Sequence, residues 1–207
     1  MVKIILCLQE LLENTIRVEL EKRISKVENK QFVLLYKASR DGCSVDDFQN
    51  KCLNKGPTLT VLYGQDRTVF GGYTSIPWIS TASKEFIRDP EAFLFYRILN
   101  GSTHFLEMEE CNFDKAITFS RYGPTFGGTR IRGHDLQVFR NTNQIRKKNS
   151  IFELNGKTNF NCIYKSKEKG FNEKYINNGG LKVTDMEVYE VQGMFICVTD
   201  SLYNNNL

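Results

Sequence analysis

Carboxylates two positions apart on a β-strand project from one face, and Asp185 and Glu187 stand in that relation within Asp185-Met186-Glu187-Val188-Tyr189-Glu190-Val191. Burial that separated their pKa values would let one act as general acid and the other as base in a hydrolysis. His134 and Asp135, on a different strand-like run, are the candidates to join them. Adjacency works against a triad, because neighbouring strand residues point to opposite faces. The chain holds only two histidines, which leaves little material for nucleophilic triads or histidine-rich metal sites. The structural alternative is plain: acidic residues on the solvent face of an edge strand, or one buried carboxylate paired with Arg130 or Arg132. The expectation is no confident catalytic residue, no metal and no cofactor.

Two further chemistries are testable by spacing. Gly123 and Gly128 are separated like the outer glycines of a phosphate-binding loop, but Thr129 stands where that loop needs lysine, and a strand pattern follows where it needs a helix. A structural corner is the better reading. The six cysteines, Cys7, Cys43, Cys52, Cys111, Cys162 and Cys197, include no Cys-x-x-Cys pair, so neither a zinc knuckle nor a thioredoxin-type dithiol is present. They read as reduced, partly buried thiols, and a redox role would need an exposed cysteine of lowered pKa.

The elements that position these residues turn on Tyr122-Gly123-Pro124-Thr125-Phe126-Gly127-Gly128, a stiff non-helical corner between the runs Ala116–Phe119 and His134–Phe139. Gly127 and Gly128 are expected where a side chain would strike a neighbouring strand. This stretch, with His134-Asp135-Leu136 after it, resembles the signature of the TLDc domain, the module of the oxidation-resistance proteins. Leu34 to Gly42 with the helix after it, Val69-Phe70-Gly71-Gly72-Tyr73 with Trp78, and Asp185 to Val191 resemble the family's opening, central strand and closing strand, in order. The resemblance runs from about Phe32 to Val191 and marks Gly71, Gly72, Trp78, Gly123, Pro124, Phe126, Gly127 and Gly128 as its structural signature.

That resemblance implies a mainly β, α+β fold, a two-sheet antiparallel β-sandwich with flanking helices. It also implies a protection or regulation module without an established reaction, linked to oxidative-stress resistance and to the vacuolar proton-pumping ATPase (V-ATPase), whose peripheral sector is the first partner expected. The closing run Glu187 to Met194 also resembles the interferon-induced protein 44-like branch, in which a GTPase-like domain follows, whereas this sequence stops at Leu207. A weak hydrolase using Asp185 and Glu187, or a cysteine-based redox enzyme, is the remaining alternative.

Length and composition agree with one domain. A chain of 207 residues, 41% hydrophobic and 25% charged, is long enough for one core and far from disorder. Its net charge of +4 favours an acidic partner but falls short of a nucleic-acid footprint. Val2 to Leu8 is too brief for a signal peptide and lacks a small-residue cleavage site, and no apolar run approaches the ~20 residues of a membrane span. A cytoplasmic protein is expected, with an N-terminal helical segment over 1–30, the domain over 31–194 and a tail over 195–207.

Along the chain, Leu8, Leu11, Leu12, Ile16, Leu20 and Ile24 recur at helical spacing, predicting an amphipathic helix packed on a sheet or docking a partner. Phe32–Tyr36 is strand-like; Ser44 caps a helix with Val45, Phe48 and Cys52 on one face, ended by Gly56-Pro57. Thr58–Tyr63 and Thr68–Tyr73 form a hairpin, with Gly71-Gly72 marking a bulge or close backbone approach that Trp78 covers. Ala92–Leu99 turns at Asn100-Gly101 into a further strand, and Asn155-Gly156 predicts a hairpin between Ile151–Leu154 and Phe160–Tyr164. Arg146-Lys147-Lys148 sits in a polar loop, a candidate contact for an acidic protein surface or anionic lipid, and Lys165–Gly180 reads as a long mobile loop before a last strand. The core should include Leu35, Phe48, Val61, Phe70, Trp78, Phe93, Phe95, Leu136, Val138 and Val188.

Overall fold

In the computed structural model, which describes residues 14–24, 30–81, 85–98, 101–119, 122–129, 131 and 133–193, the strand-length runs assemble into two antiparallel sheets. The strands are β1 (Lys30–Lys37), β2 (Thr58–Gly64), β3 (Val69–Thr74), β4 (Glu85–Ile87), β5 (Phe93–Arg97), β6 (Thr103–Glu107), β7 (Ile117–Phe119), β8 (Thr125–Phe126), β9 (Leu136–Gln137), β10 (Lys147–Lys148), β11 (Ile151–Glu153), β12 (Lys157–Thr158), β13 (Lys165–Ser166) and β14 (Lys182–Gly193). The helices are α1 (Asn14–Arg23), α2 (Ala38–Asp41) and α3 (Val45–Cys52). Nine strands form the larger sheet in the order β10-β11-β14-β2-β3-β5-β6-β13, with β1 pairing β14 as well, and β12-β9-β8-β7-β4 form the smaller one. The fold is therefore a mainly β two-sheet sandwich with flanking helices.

Because β2, β3, β5 and β14 are buried on both faces, the core has two compartments. Between the sheets lie Tyr36, Phe48, Phe70, Trp78, Leu94, Phe126, Leu136, Val138 and Val188. On the far face of the larger sheet, Leu59, Val61, Phe93, Phe95 and Tyr189 are roofed by Ile16, Leu20 and Ile24, one stripe of α1 and its end. The expected core residues divide between these compartments, and Leu35 alone among them is only half-buried. Charge fixes the roof at its rim: Arg23 meets Glu107 at 2.9 Å, and Glu19 accepts from the Thr103 backbone N–H at 3.1 Å. Leu8, Leu11 and Leu12 lie outside the described residues, as does the segment 195–207. Among the described residues no helix is long and apolar enough to cross a membrane.

Several expectations change. Ser44 does cap α3, its Oγ accepting from the Asp47 N–H at 3.1 Å, but the helix ends at Cys52, and the reversal falls on Asn54 at φ 61 rather than on Gly56-Pro57. Asparagine tolerates that left-handed conformation. Of the two readings of Gly71-Gly72, the bulge fails, for Val61 pairs with Gly71 and Thr60 with Gly72 in unbroken register, and the close backbone approach holds, a Cβ on Gly71 falling 1.9 Å from the Thr60 carbonyl oxygen. Asn155-Gly156 closes no hairpin: β11 pairs with β10 and β14, while β12 leaves to pair with β9 of the other sheet. A glycine is needed there because a Cβ on Gly156 would lie 1.8 Å from the Gln137 carbonyl oxygen.

The supposed loop at Arg146-Lys147-Lys148 is part of a hairpin, with Lys147 opposite Phe152 and a turn at Asn149 and Ser150, both at positive φ. Lys165–Gly180 is also no open loop. Ile176 and Asn177 are buried, and Asn177 binds three backbone groups: Oδ1 accepts from the Gln65 N–H at 3.1 Å, while Nδ2 donates to the Gly180 and Lys182 carbonyls at 2.9 and 3.0 Å. A side chain making those bonds fastens the segment to the β2–β3 turn and to the start of β14.

Candidate functional site

The glycine corner and the glycine pair of β3 meet. The Phe126 ring, on β8, occupies the space over Gly72, where an added Cβ would come within 2.8 Å of it. Trp78 stands edge-on to Phe126 at 5.5 Å between ring centroids and to Phe48 at 6.3 Å, and its Nε1 donates to Thr58 Oγ1 at 2.9 Å. Phe48 and Phe139 in turn lie against Gly123, at φ 77, and Pro124 accepts from the Val138 N–H at 3.1 Å through its carbonyl. Trp78 therefore works as an anchor between sheets, 3% exposed, and Phe126 rather than Trp78 covers the bare patch. The corner also contains a short strand of its own, Thr125–Phe126, within the stretch that the sequence marks as a stiff non-helical corner.

Gly127 faces a side chain and Gly128 both a side chain and the Gly133 carbonyl, from the residues that lead into β9. A Cβ on Gly127 would fall 2.1 Å from Asp135 Oδ2, and one on Gly128 2.4 Å from His134 Nδ1. His134 Nδ1 lies 2.9 Å from the Gly127 carbonyl, which accepts only from a protonated ring nitrogen, so Nδ1 carries the proton in this arrangement. Asp135 is fully buried, and its carboxylate accepts backbone N–H groups from Cys162 at 2.8 Å, Ile163 at 3.0 Å and Tyr164 at 3.3 Å. The adjacent His134 and Asp135 thus serve different neighbours and share no proton.

Burial pushes the Asp135 carboxyl up to about 7, against the three N–H groups and Lys165, which pull it down. A carboxyl raised in the folded state holds its proton more tightly there than in the unfolded chain. Its contribution to stability is complete below about pH 4, the unfolded value, and is lost as pH rises through about 7. We expect the denaturant midpoint of the wild type to fall, relative to Asp135→Asn, on going from mildly acid to mildly alkaline buffer. Parallel pH profiles for the two proteins would contradict this assignment.

Asp185 and Glu187 lie on β14, which is a central strand and no edge, and both are buried. Asp185 accepts from the Ser39 N–H at 3.0 Å, Ser39 Oγ at 2.5 Å and the Met186 N–H at 2.9 Å, tying α2 to the strand. Glu187 pairs with Lys37 Nζ at 2.9 Å through Oε1 and accepts from Tyr63 OH at 2.6 Å and Tyr189 OH at 2.5 Å through Oε2. Burial, with Tyr189 and Glu187 beside it, holds the Tyr63 phenol far above its ordinary value, so it stays a donor. The cation beside Glu187 is Lys37; Arg130 and Arg132 lie outside the described residues. The two carboxylates are thus held by separate sets of donors, Asp185 by Ser39 and the Met186 N–H, Glu187 by Lys37 and two tyrosines.

Sequence reading missed Asp89, which is fully buried and accepts from Thr74 Oγ1 at 2.7 Å, the Ser75 N–H at 2.8 Å and Ser75 Oγ at 2.7 Å. The signal available was Asp89-Pro90 after a Thr74-Ser75 strand end, a turn-former facing hydroxyls. Lys37, Ser39 and Tyr63 carried no local signal.

Among the cysteines, burial pushes the Cys43 thiol up to about 12, helped by Asp185 and Asp47, and pushes the Cys52 thiol higher still. Cys111, on the 3-10 turn Glu110–Lys115, is exposed. In the native chain iodoacetamide is expected to label Cys111 while Cys43 and Cys52 react only after unfolding. Mapped label on Cys43 in the folded protein would refute it.

The exposed positive groups occupy different places. Arg146, Lys147 and Lys148 lie on the β10–β11 hairpin, Lys147 Nζ 5.1 Å from the Phe152 ring centre. A cleft of about 450 Å3 on the smaller sheet is lined by Phe86, His134, Gln137, Arg140 and Lys157 among others, and one of about 440 Å3 by Gln65, Glu153, Asn177 and Lys182 among others. Neither is lined by Asp185 or Glu187, and among the described residues no group of three or more His, Cys, Asp or Glu is arranged to hold a metal. No match is found among curated proteins. The family model of the TLDc domain matches residues 7–192, nearly the whole of this 207-residue chain, and the chain belongs to the TLDc domain family.

Proposed function

We propose that this chain is a non-catalytic interaction module of the TLDc family that serves oxidative-stress protection by docking on a larger assembly, the peripheral sector of the vacuolar proton-pumping ATPase first. The observation that carries this reading is the fate of the carboxylates. Asp135, Asp185 and Glu187 each spend their oxygens on structural donors in separate places, while Arg146, Lys147 and Lys148 are held outward on a paired hairpin. A rigid hairpin presents charge at lower entropic cost than a loose loop, and exposed cations speed encounter with an acidic face. The docking reading requires a cytoplasmic location.

Affinity purification of the tagged chain from its own cells at low salt tests this, alongside a variant with Arg146, Lys147 and Lys148 all replaced by Ser. Recovery of pump subunits, reduced in the variant, is the expected result. Recovery of no pump subunit ends that partnership, and undiminished recovery removes the hairpin from the interface.

A further inference from the structure

The cleft on the smaller sheet is not used by the docking reading above. Its volume, about 450 Å3, is that of a pocket accepting a few side chains. Phe86 of β4 stands at one side, 36% exposed, and Arg140 and Lys157 line it as well. Both cations are exposed, and among the described residues no acidic side chain lines the cleft and no ion pair engages either head group. Two unneutralised cations around a concave, partly apolar wall concentrate positive potential there.

Thr129 and Gly133 also line the cleft, and they close a tight turn by exchanging backbone hydrogen bonds of 2.8 and 3.2 Å. Between those two lining residues in the sequence, Ile131 is 95% exposed, with Arg130 and Arg132 on either side of it in the chain. An isoleucine so bared contributes nothing to the core, and it adds exposed apolar surface to that of Phe86.

The geometry points to a docking site for an acidic protein segment, whose carboxylates enter the cleft to meet Arg140 and Lys157 while a neighbouring apolar side chain packs on Phe86 and Ile131. This rests on the reading of the chain as a docking module but names a surface other than the hairpin. A peptide fits better than nucleic acid, since a single-stranded backbone needs a longer row of cations and more than one stacking ring.

Fluorescence anisotropy with the full chain tests it, using a labelled peptide of alternating Glu and Leu, its Gln-and-Leu counterpart, and a labelled oligothymidine. The acidic peptide is expected to bind in low salt, roughly tenfold more tightly than the Gln peptide, and to lose about tenfold in the double variant Arg140→Ser, Lys157→Ser. Ile131→Ser should weaken it, and the triple hairpin variant should not. All these positions are exposed, and unchanged unfolding temperatures show that the variants remain folded. No binding up to about 1 mM, equal binding by the double variant, or preference for oligothymidine overturns the site. Peptide binding that survives alongside failed pump capture retains this cleft and removes the pump. Pump capture without peptide binding does the reverse.

Discussion

Asp135→Ala is expected to destabilise the chain by about 4 kcal/mol, a large share of the roughly 5–15 kcal/mol by which a domain is usually stable. One carboxylate gathers the N–H groups of Cys162, Ile163 and Tyr164, three consecutive donors on the turn that leads into β13. Removing the acceptor strands the buried N–H groups of Ile163 and Tyr164, at about 1–3 kcal/mol each before relaxation, weakens the hold on half-buried Cys162, and leaves a void beside Gly127. The same residue anchors the chain a second way, its carbonyl accepting from the Asn159 N–H at 3.0 Å, and that bond survives the substitution. Asp135→Asn keeps an acceptor oxygen in place and should cost about 1–2 kcal/mol. Denaturant unfolding of the two variants decides: equal losses would mean that the carboxylate is not the hub of this turn.

This expectation inverts the emphasis that the sequence suggests, and the reason is physical. Asp185 and Glu187 stand out because a period of two places them on one face, but periodicity does not tell a central strand from an edge one. β14 carries Asp185, Glu187 and Glu190 along a strand buried by β2 on one side and by β1 and β11 on the other, and only the long-range pairing decides that. Local signals did better where the chemistry is local. Ser44 with Asp47 is legible as a cap because its donor and acceptor are three residues apart, and the Gly64–Arg67 turn is legible because β2 and β3 pair across it.

Asn155-Gly156 misleads for the converse reason. The dipeptide favours a tight hairpin, yet here the glycine serves a contact with the Gln137 and Val138 carbonyls, from a part of the chain that no local window includes. β4 was invisible for want of length: Glu85–Ile87 is a strand only because Ile117–Phe119 pairs with it. The cleft with Arg140 and Lys157 was illegible too, since its lining comes from residues 86 to 157 brought together across one sheet.

The second large effect separates two adjacent glycines that the sequence presents as equivalent. On β3, Gly71 lies on the face roofed by α1 and Gly72 on the face between the sheets, beside Phe95 and Leu94 respectively. A Cβ on Gly71 would sit 1.9 Å from the Thr60 carbonyl oxygen, which is backbone of the paired strand. It cannot yield without spreading β2 from β3 at the centre of the larger sheet. A Cβ on Gly72 would instead meet Leu94 Cδ2 at 2.7 Å and the Phe126 ring at 2.8 Å, side-chain atoms that can turn or slide at the expense of packing against Trp78. Gly71→Ala should therefore cost about 4 kcal/mol and Gly72→Ala about 2 kcal/mol, the first by strain in the ladder and the second by overpacking. Amide hydrogen exchange distinguishes the mechanisms as well as the magnitudes. Gly71→Ala is expected to speed exchange along β2 and β3, whereas Gly72→Ala should leave that ladder protected and loosen β8. If Gly72→Ala proves the costlier change, the sheets rather than the strands are the less yielding partners, and the corner at Phe126 governs the stability of the whole sandwich.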